Sequence, residues 1–115
     1  MAKNVFRIVC GEGNHTPQFD EQLRLISADS GEEAFEKAQA VGRSAQDSFF
    51  NNKQELVQWQ FINTVELHKL SSLSDGAEIY SGVKEADHAG SFIETVHQKA
   101  DLIRSAFSVR EPEFI

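Results

Sequence analysis

From Lys3 to Cys10, Phe6, Ile8 and Cys10 alternate with Val5, Arg7 and Val9, and the segment is rich in β-branched and aromatic side chains. That period of two predicts a strand. Gly11 to Gln18 collects two glycines, Asn14 and Pro17, residues that break both helix and ladder, and reads as a connecting loop. A second strand is predicted over Glu21 to Ala28, with Leu23 and Leu25 on one face and Ile26 and Ala28 on the other. Ser30 followed by Glu33 is a capping box, and Asp29, Glu32, Glu33 and Glu36 place negative charge where a helix N-terminus favours it. Ala34, Phe35, Ala38 and Val41 then recur at helical spacing, with Gly42 as the place to end. Ser48 to Lys53, containing Phe49 and Phe50, reads as a turn region.

The clearest pattern runs from Glu55 to Leu70. Val57, Trp59, Phe61, Val65 and Leu67 share one parity, and Gln58, Gln60, Thr64, Glu66 and His68 the other. It predicts a strand with one dry and one wet face. A straight strand of that length would span about 50 Å, too much for a domain of about 13 Å radius. A bend or bulge is therefore expected, and polar Asn63 on the apolar parity marks it. Asp75-Gly76 is a turn signal, and Ala77 to Val83 is read as the strand that returns along the previous one as a hairpin. Between Asp87 and Phe107 a stripe of Ala89, Phe92, Ile93, Val96, Ala100, Ile103 and Phe107 predicts a long helix, with Ser108 to Ile115 an irregular tail. The expected architecture is α+β, in the order β-β-α-β-β-α. It is a mainly antiparallel four-stranded sheet with both helices on one face, in a single domain over residues 1–115.

With the elements placed, composition narrows the classes of function. The chain has 115 residues, 18 acidic and 11 basic, for a net charge of −7. An acidic balance disfavours nucleic acid, whose phosphates want clustered Lys and Arg. No apolar run approaches the roughly 20 residues of a membrane span. The first residues lack the pattern of a signal peptide, so no membrane association and cytoplasmic residence are expected. Cys10 is the lone cysteine, which excludes an intrachain disulfide and any multi-cysteine metal site.

The residues able to carry chemistry are few. The histidines are His15, His68, His88 and His97, and none shows metal-ligand spacing. His88 and His97 lie about two and a half helical turns apart, on opposite faces. Cys10 could be activated only by a group distant in sequence or by His15 across the loop, and a cysteine ending a strand behaves as a small hydrophobe. Gly11-Glu12-Gly13 contains an acid and leads into no helix, unlike a phosphate-cradling loop. No catalytic, cofactor or metal residue is assigned. Phe49-Phe50 and Phe114-Ile115 fall in turn and tail, where an aromatic pair either marks a docking surface or folds back on its own domain.

The chain also resembles the bacterial family catalogued as domain of unknown function 4288, over about residues 2–83. Four landmarks carry the resemblance: Ala2-Lys3 leading into Phe6-Arg7-Ile8; Glu32-Glu33-Ala34 with Lys37-Ala38 and Gly42; Trp59-Gln60-Phe61 with Val65-Glu66-Leu67; and Asp75-Gly76-Ala77-Glu78-Ile79-Tyr80-Ser81. Members usually open with an aromatic pair before the Ala-Lys and carry a glycine before the Glu ahead of the tryptophan strand. This chain has only Met1 and, at the second place, Gln54. The helix after Glu85 looks like an extension beyond the family's length. The resemblance implies the fold and a bacterial cytosolic origin, and it assigns no site.

Three functions are therefore expected to compete. The leading one is a noncatalytic interaction module, a homodimer or the binder of another protein, using Gln58, Gln60, Thr64, Glu66, His68, Phe49 and Phe114. The second is a small-molecule binder or weak enzyme with a pocket between the sheet and the last helix, drawing on Cys10, His15, Tyr80 and His88. The third is neutralisation of a basic partner, such as a toxin, by the acidic surface at Glu32 to Glu36.

Overall fold

The computed structural model describes residues 1–107, so the tail from Ser108, with Phe114, lies outside the described residues. Six elements succeed one another: β1 (Ala2–Cys10), β2 (Gln18–Arg24), α1 (Gly31–Ser44), β3 (Asp47–Phe50), β4 (Leu56–Leu67) and α2 (Ala89–Phe107). The fold is α+β, with a four-stranded sheet in the order β2-β1-β4-β3 and every neighbouring pair antiparallel. The chain divides into a first compact unit, Met1–Tyr80, and a second that begins at Ser81 and contains α2.

β1 lies at the centre, and its alternation separates the two faces of the sheet. Ala2, Asn4 and Phe6 are fully buried, while Lys3, Val5, Arg7 and Val9 point the other way. α1 packs on the first face, across β1 and β4. Its start is the capping structure that the sequence announces. Ser30 Oγ accepts from the Glu33 amide (3.1 Å), and Glu33 reaches back to accept from the Asp29 amide (3.1 Å). Asn4 is held between layers, donating to the Ala38 carbonyl at 3.0 Å and accepting from the Thr64 hydroxyl at 2.6 Å. A buried amide is tolerable only with such partners. Phe6 and Phe61 pack with ring centroids 5.4 Å apart beneath the helix.

The expected bend in the long strand is present as two irregularities. The β1–β4 register slips between Val5 and Phe6, where Asn63 and Phe61 are their partners, and again between Lys3 and Asn4. Ile62 and Val65 are the extra residues, and each insertion inverts the facing of the residues after it. Thr64 is thereby buried instead of standing on the wet face, and Val65 is exposed instead of buried. Asn63, at the first bulge, accepts from Gln39 of α1 at 2.6 Å.

Other expectations need correction. β2 occupies Gln18–Arg24, not Glu21 to Ala28, because its ladder can extend only as far as β1 does, from Ile8↔Gln18 to Ala2↔Arg24. The strand that completes the sheet is β3, Asp47–Phe50, in the segment read as a turn. It pairs with Leu56–Trp59 across a loop organised by Asn51, whose Oδ1 accepts from the Lys53 amide (2.9 Å) and the Glu55 amide (3.0 Å). Ala77 to Val83 forms no strand. The bulges disturb the regular ladder that its pairing with β4 would need, and Gln46 Oε1 already accepts from the Phe61 amide (3.0 Å) on that strand. The Asp75-Gly76 turn itself is present, with Gly76 at φ 83° and the Ala77 amide donating to the Ser74 carbonyl. Gly42 lies inside α1, where its missing Cβ admits the Phe61 ring.

The aromatic residues on the apolar stripes of α1, β4 and α2 are less buried than a core-facing stripe would be. Trp59 and Phe61 are half-buried, and Phe35 and Phe92 are exposed. Within the second unit, no residue of α2 is buried. No helix among the described residues is long and apolar enough to cross a membrane.

Candidate functional site

Two places in the sheet unit merit attention: the loop at the end of β1 and the sheet face opposite α1. At the first, an open cleft of about 820 Å³ is formed by the loop between β1 and β2 together with Glu55. Gly11 (φ 59°) and Gly13 (φ 81°) take left-handed conformations that start the turn. His15 closes it. The Cys10 amide donates to His15 Nε2 at 3.0 Å, so the ring proton sits on Nδ1 and is donated to the Thr16 carbonyl at 2.9 Å. Both ring nitrogens are thus spent on backbone, leaving no lone pair for a metal or a proton transfer in this arrangement. Asn51 Nδ2 donates to Cys10 Sγ (3.5 Å) and to Glu55 Oε1 (3.3 Å), tying the loop to the β3–β4 turn. Among the described residues no group of three or more His, Cys, Asp or Glu could hold a metal ion.

Of the four residues expected to share a pocket, Cys10 and His15 are brought together and Tyr80 is not. The Tyr80 ring packs edge-on to His68 (centroids 5.4 Å apart) with Lys3 Nζ 5.7 Å from its centroid. Lys3 is seven strand residues from Cys10, roughly 23 Å at strand rise. His88 belongs to the second unit, where its carbonyl accepts from the Phe92 amide at the start of α2.

The sheet face opposite α1 is built from the odd residues of β1 and their partners. Antiparallel partners share a face, so Val9 stands with Gln58, and Arg7 with Gln60 and Phe19. Ser48 is level with Gln58, and Phe50 with Leu56. Gln58, Gln60 and Glu66 therefore lie on this face, as expected, while Thr64 is buried under the helix. Phe49 is on the helix side, stacked against Trp59 at 5.9 Å. Phe50, Phe19 and Leu23 on the open face are exposed, at 71, 59 and 51%. Phe19 was not legible as a surface candidate because it precedes the strand expected over Glu21 to Ala28.

One end of this face is an electrostatic cluster. Glu66 accepts from Lys3 Nζ (2.8 Å) and from His68 Nε2 (2.8 Å). The hydrogen bond from Lys3, then that from His68, holds the Glu66 carboxyl below its ordinary value, and the Glu66 carboxylate raises Lys3 above its own. Beyond β4, His68 is fastened to the chain start. Its amide donates to the Met1 carbonyl, and its carbonyl accepts from the Met1 ammonium, both at 2.8 Å. On the acidic first turn of α1, Glu33 is held below its ordinary value chiefly by the Asp29 amide and then by Lys37, so its charge is spent on the cap.

No curated protein and no solved structure matches this chain. The Ala-Lys opening, the capped helix with its interior glycine, and the bulged tryptophan strand all fall within one matched stretch. Over residues 1–81 the chain matches, and it therefore belongs to, the family described as Domain of unknown function (DUF4288).

Proposed function

We propose that this protein is a noncatalytic interaction module that docks a protein partner on the sheet face opposite α1. The observation that supports this is the state of that face. Exposed Phe50 and Phe19, with half-buried Val9 and Leu56, surround Arg7, Gln58 and Gln60, the mixture of apolar anchors and polar groups typical of a non-obligate interface. A sheet with one helix layer leaves such a face for water or a partner. The loop cleft supports a chemical role less well, since its histidine and cysteine are committed to backbone and amide partners.

The test uses the full chain carrying Phe50→Ser and Gln58→Arg. Phe50 is exposed and Gln58 is half-buried with its side chain on the open face, so the two changes together are expected to alter stability by about 1 kcal/mol. Proteins cross-linked to the wild type in cells of its source should be lost from the variant while its circular dichroism is unchanged. Retention of the same partners by a folded variant sinks the sheet-face reading.

A further inference from the structure

The two outer strands of the sheet are unlike each other. β3 has four residues and is ordinary as an edge, since a short strand offers little template for pairing. β2 is the other edge, has seven residues, hydrogen-bonds to β1 on one side only, and displays Phe19 and Leu23 with Leu25 just beyond it at 64% exposed. Long edges with exposed apolar side chains pair with another strand unless something opposes it.

We infer that β2 pairs antiparallel with β2 of a second copy of this chain, about a dyad at Gln22, joining two four-stranded sheets into one of eight strands. The register follows from charge. In an antiparallel pair related by a dyad, each residue faces the one equally far on the other side of the centre. Centring on Asp20 or on Glu21 sets that carboxylate against its own copy, which is unfavourable. Centring on Gln22 instead sets Asp20 opposite Arg24 of the second copy, twice, with Gln22 facing Gln22 and Phe19 facing Leu25.

The side chains are already arranged for this. Asp20 Oδ2 accepts from Gln22 Nε2 (2.8 Å) and from Trp59 Nε1 (3.1 Å), which fixes the carboxylate on the strand. Arg24 donates through Nε (3.3 Å) and Nη2 (2.7 Å) to Gln22 Oε1, leaving Nη1 for a carboxylate across the dyad. Such charge-assisted contacts are directional as well as attractive. The dimer would also make the two open faces continuous, giving a partner two copies of the same surface. The inference goes beyond the sheet-face reading and does not depend on it, because Phe50 and Gln58 lie away from β2.

Sedimentation equilibrium of the full chain tests it. The wild type should be a dimer at about 0.1 mM, and Arg24→Asp should weaken association about tenfold, because the dyad repeats the repulsion with Asp20. Asp20→Arg with Arg24→Asp restores the opposite charges in reverse and should recover most of that loss. Arg24 is exposed, so its single variant is expected to fold. Leu25→Lys, outside the strand, gives an independent check by removing the contact with Phe19, and should also weaken the dimer. Amide exchange over Phe19–Leu25 should slow as concentration rises. A wild type that is monomeric at that concentration overturns the inference. So does a dimer whose constant neither Arg24→Asp nor Leu25→Lys changes.

Discussion

Glu66 shows how a single residue can set the pH response of a surface. In the folded chain it accepts from Lys3 and His68, and its carboxyl is held below the ordinary 4.5, with the Lys3 hydrogen bond the largest cause. A group whose folded value is depressed stabilises the fold fully above its unfolded value, and that stabilisation is lost as pH falls through the folded one. Lys3 is the mirror case. Raised above 10.5 by Glu66, it contributes below its unfolded value and loses that contribution as pH rises through the folded one. The stability difference between wild type and Glu66→Gln, read from urea midpoints, should therefore be present in full above the ordinary carboxylate range. It should shrink on the acid side below the ordinary carboxylate range. A difference that is unchanged on acidification would mean the cluster does not couple to folding. None of this was legible in the chain. Lys3 and Glu66 are distant in sequence, and their adjacency depends on two bulges in β4.

At the scale of elements, the packing of α1 on the sheet turns on one absent methyl group. A Cβ at Gly42 would overlap the Phe61 ring, and Phe61 also packs on Phe6, so it has little room to retreat. Gly42→Ala should raise intrinsic helix propensity yet destabilise the protein by about 1–3 kcal/mol, as overpacking does. Adding Phe61→Leu should return part of the loss, and a thermal melt of the two variants decides the matter. An increase in Tm for Gly42→Ala alone would show that the helix does not pack as described. The sequence signalled this glycine, but as a helix end, because a glycine near the end of a periodic stripe usually serves as a stop. The elements that were legible, β1, α1, β4 and α2, are those with a local signal: alternation in the two strands, a capping box in the first helix, a long amphipathic stripe in the second. β3 was missed since four residues are too few to show a period. Ala77 to Val83 was over-read because strand-like alternation does not supply a strand to pair with.

For the whole molecule, the division after Tyr80 carries its own expectation. Ser81 to His88 contains no helix or strand, and the family match ends at residue 81. Brief trypsin treatment should cut first at Lys84, since exposed irregular backbone is the preferred site of nicking. The larger product should keep a cooperative melt, because the sheet and α1 hold their contacts within residues 1–80. Rapid further digestion of that product would show that the first unit needs the rest of the chain.

By itself, the sequence determined the α+β class, the antiparallel sheet, the position and capping of α1, the bend at Asn63 and the family, since each rests on short-range spacing or on residues read in order. Only the tertiary structure decided which residues share a surface. Strand facing reverses with a single inserted residue, so the bulges at Ile62 and Val65 buried Thr64 and exposed Val65. The length of β1 likewise placed β2 where Phe19 and Leu23 stand on an open edge. Register is a property of paired strands, and one strand's sequence cannot state it.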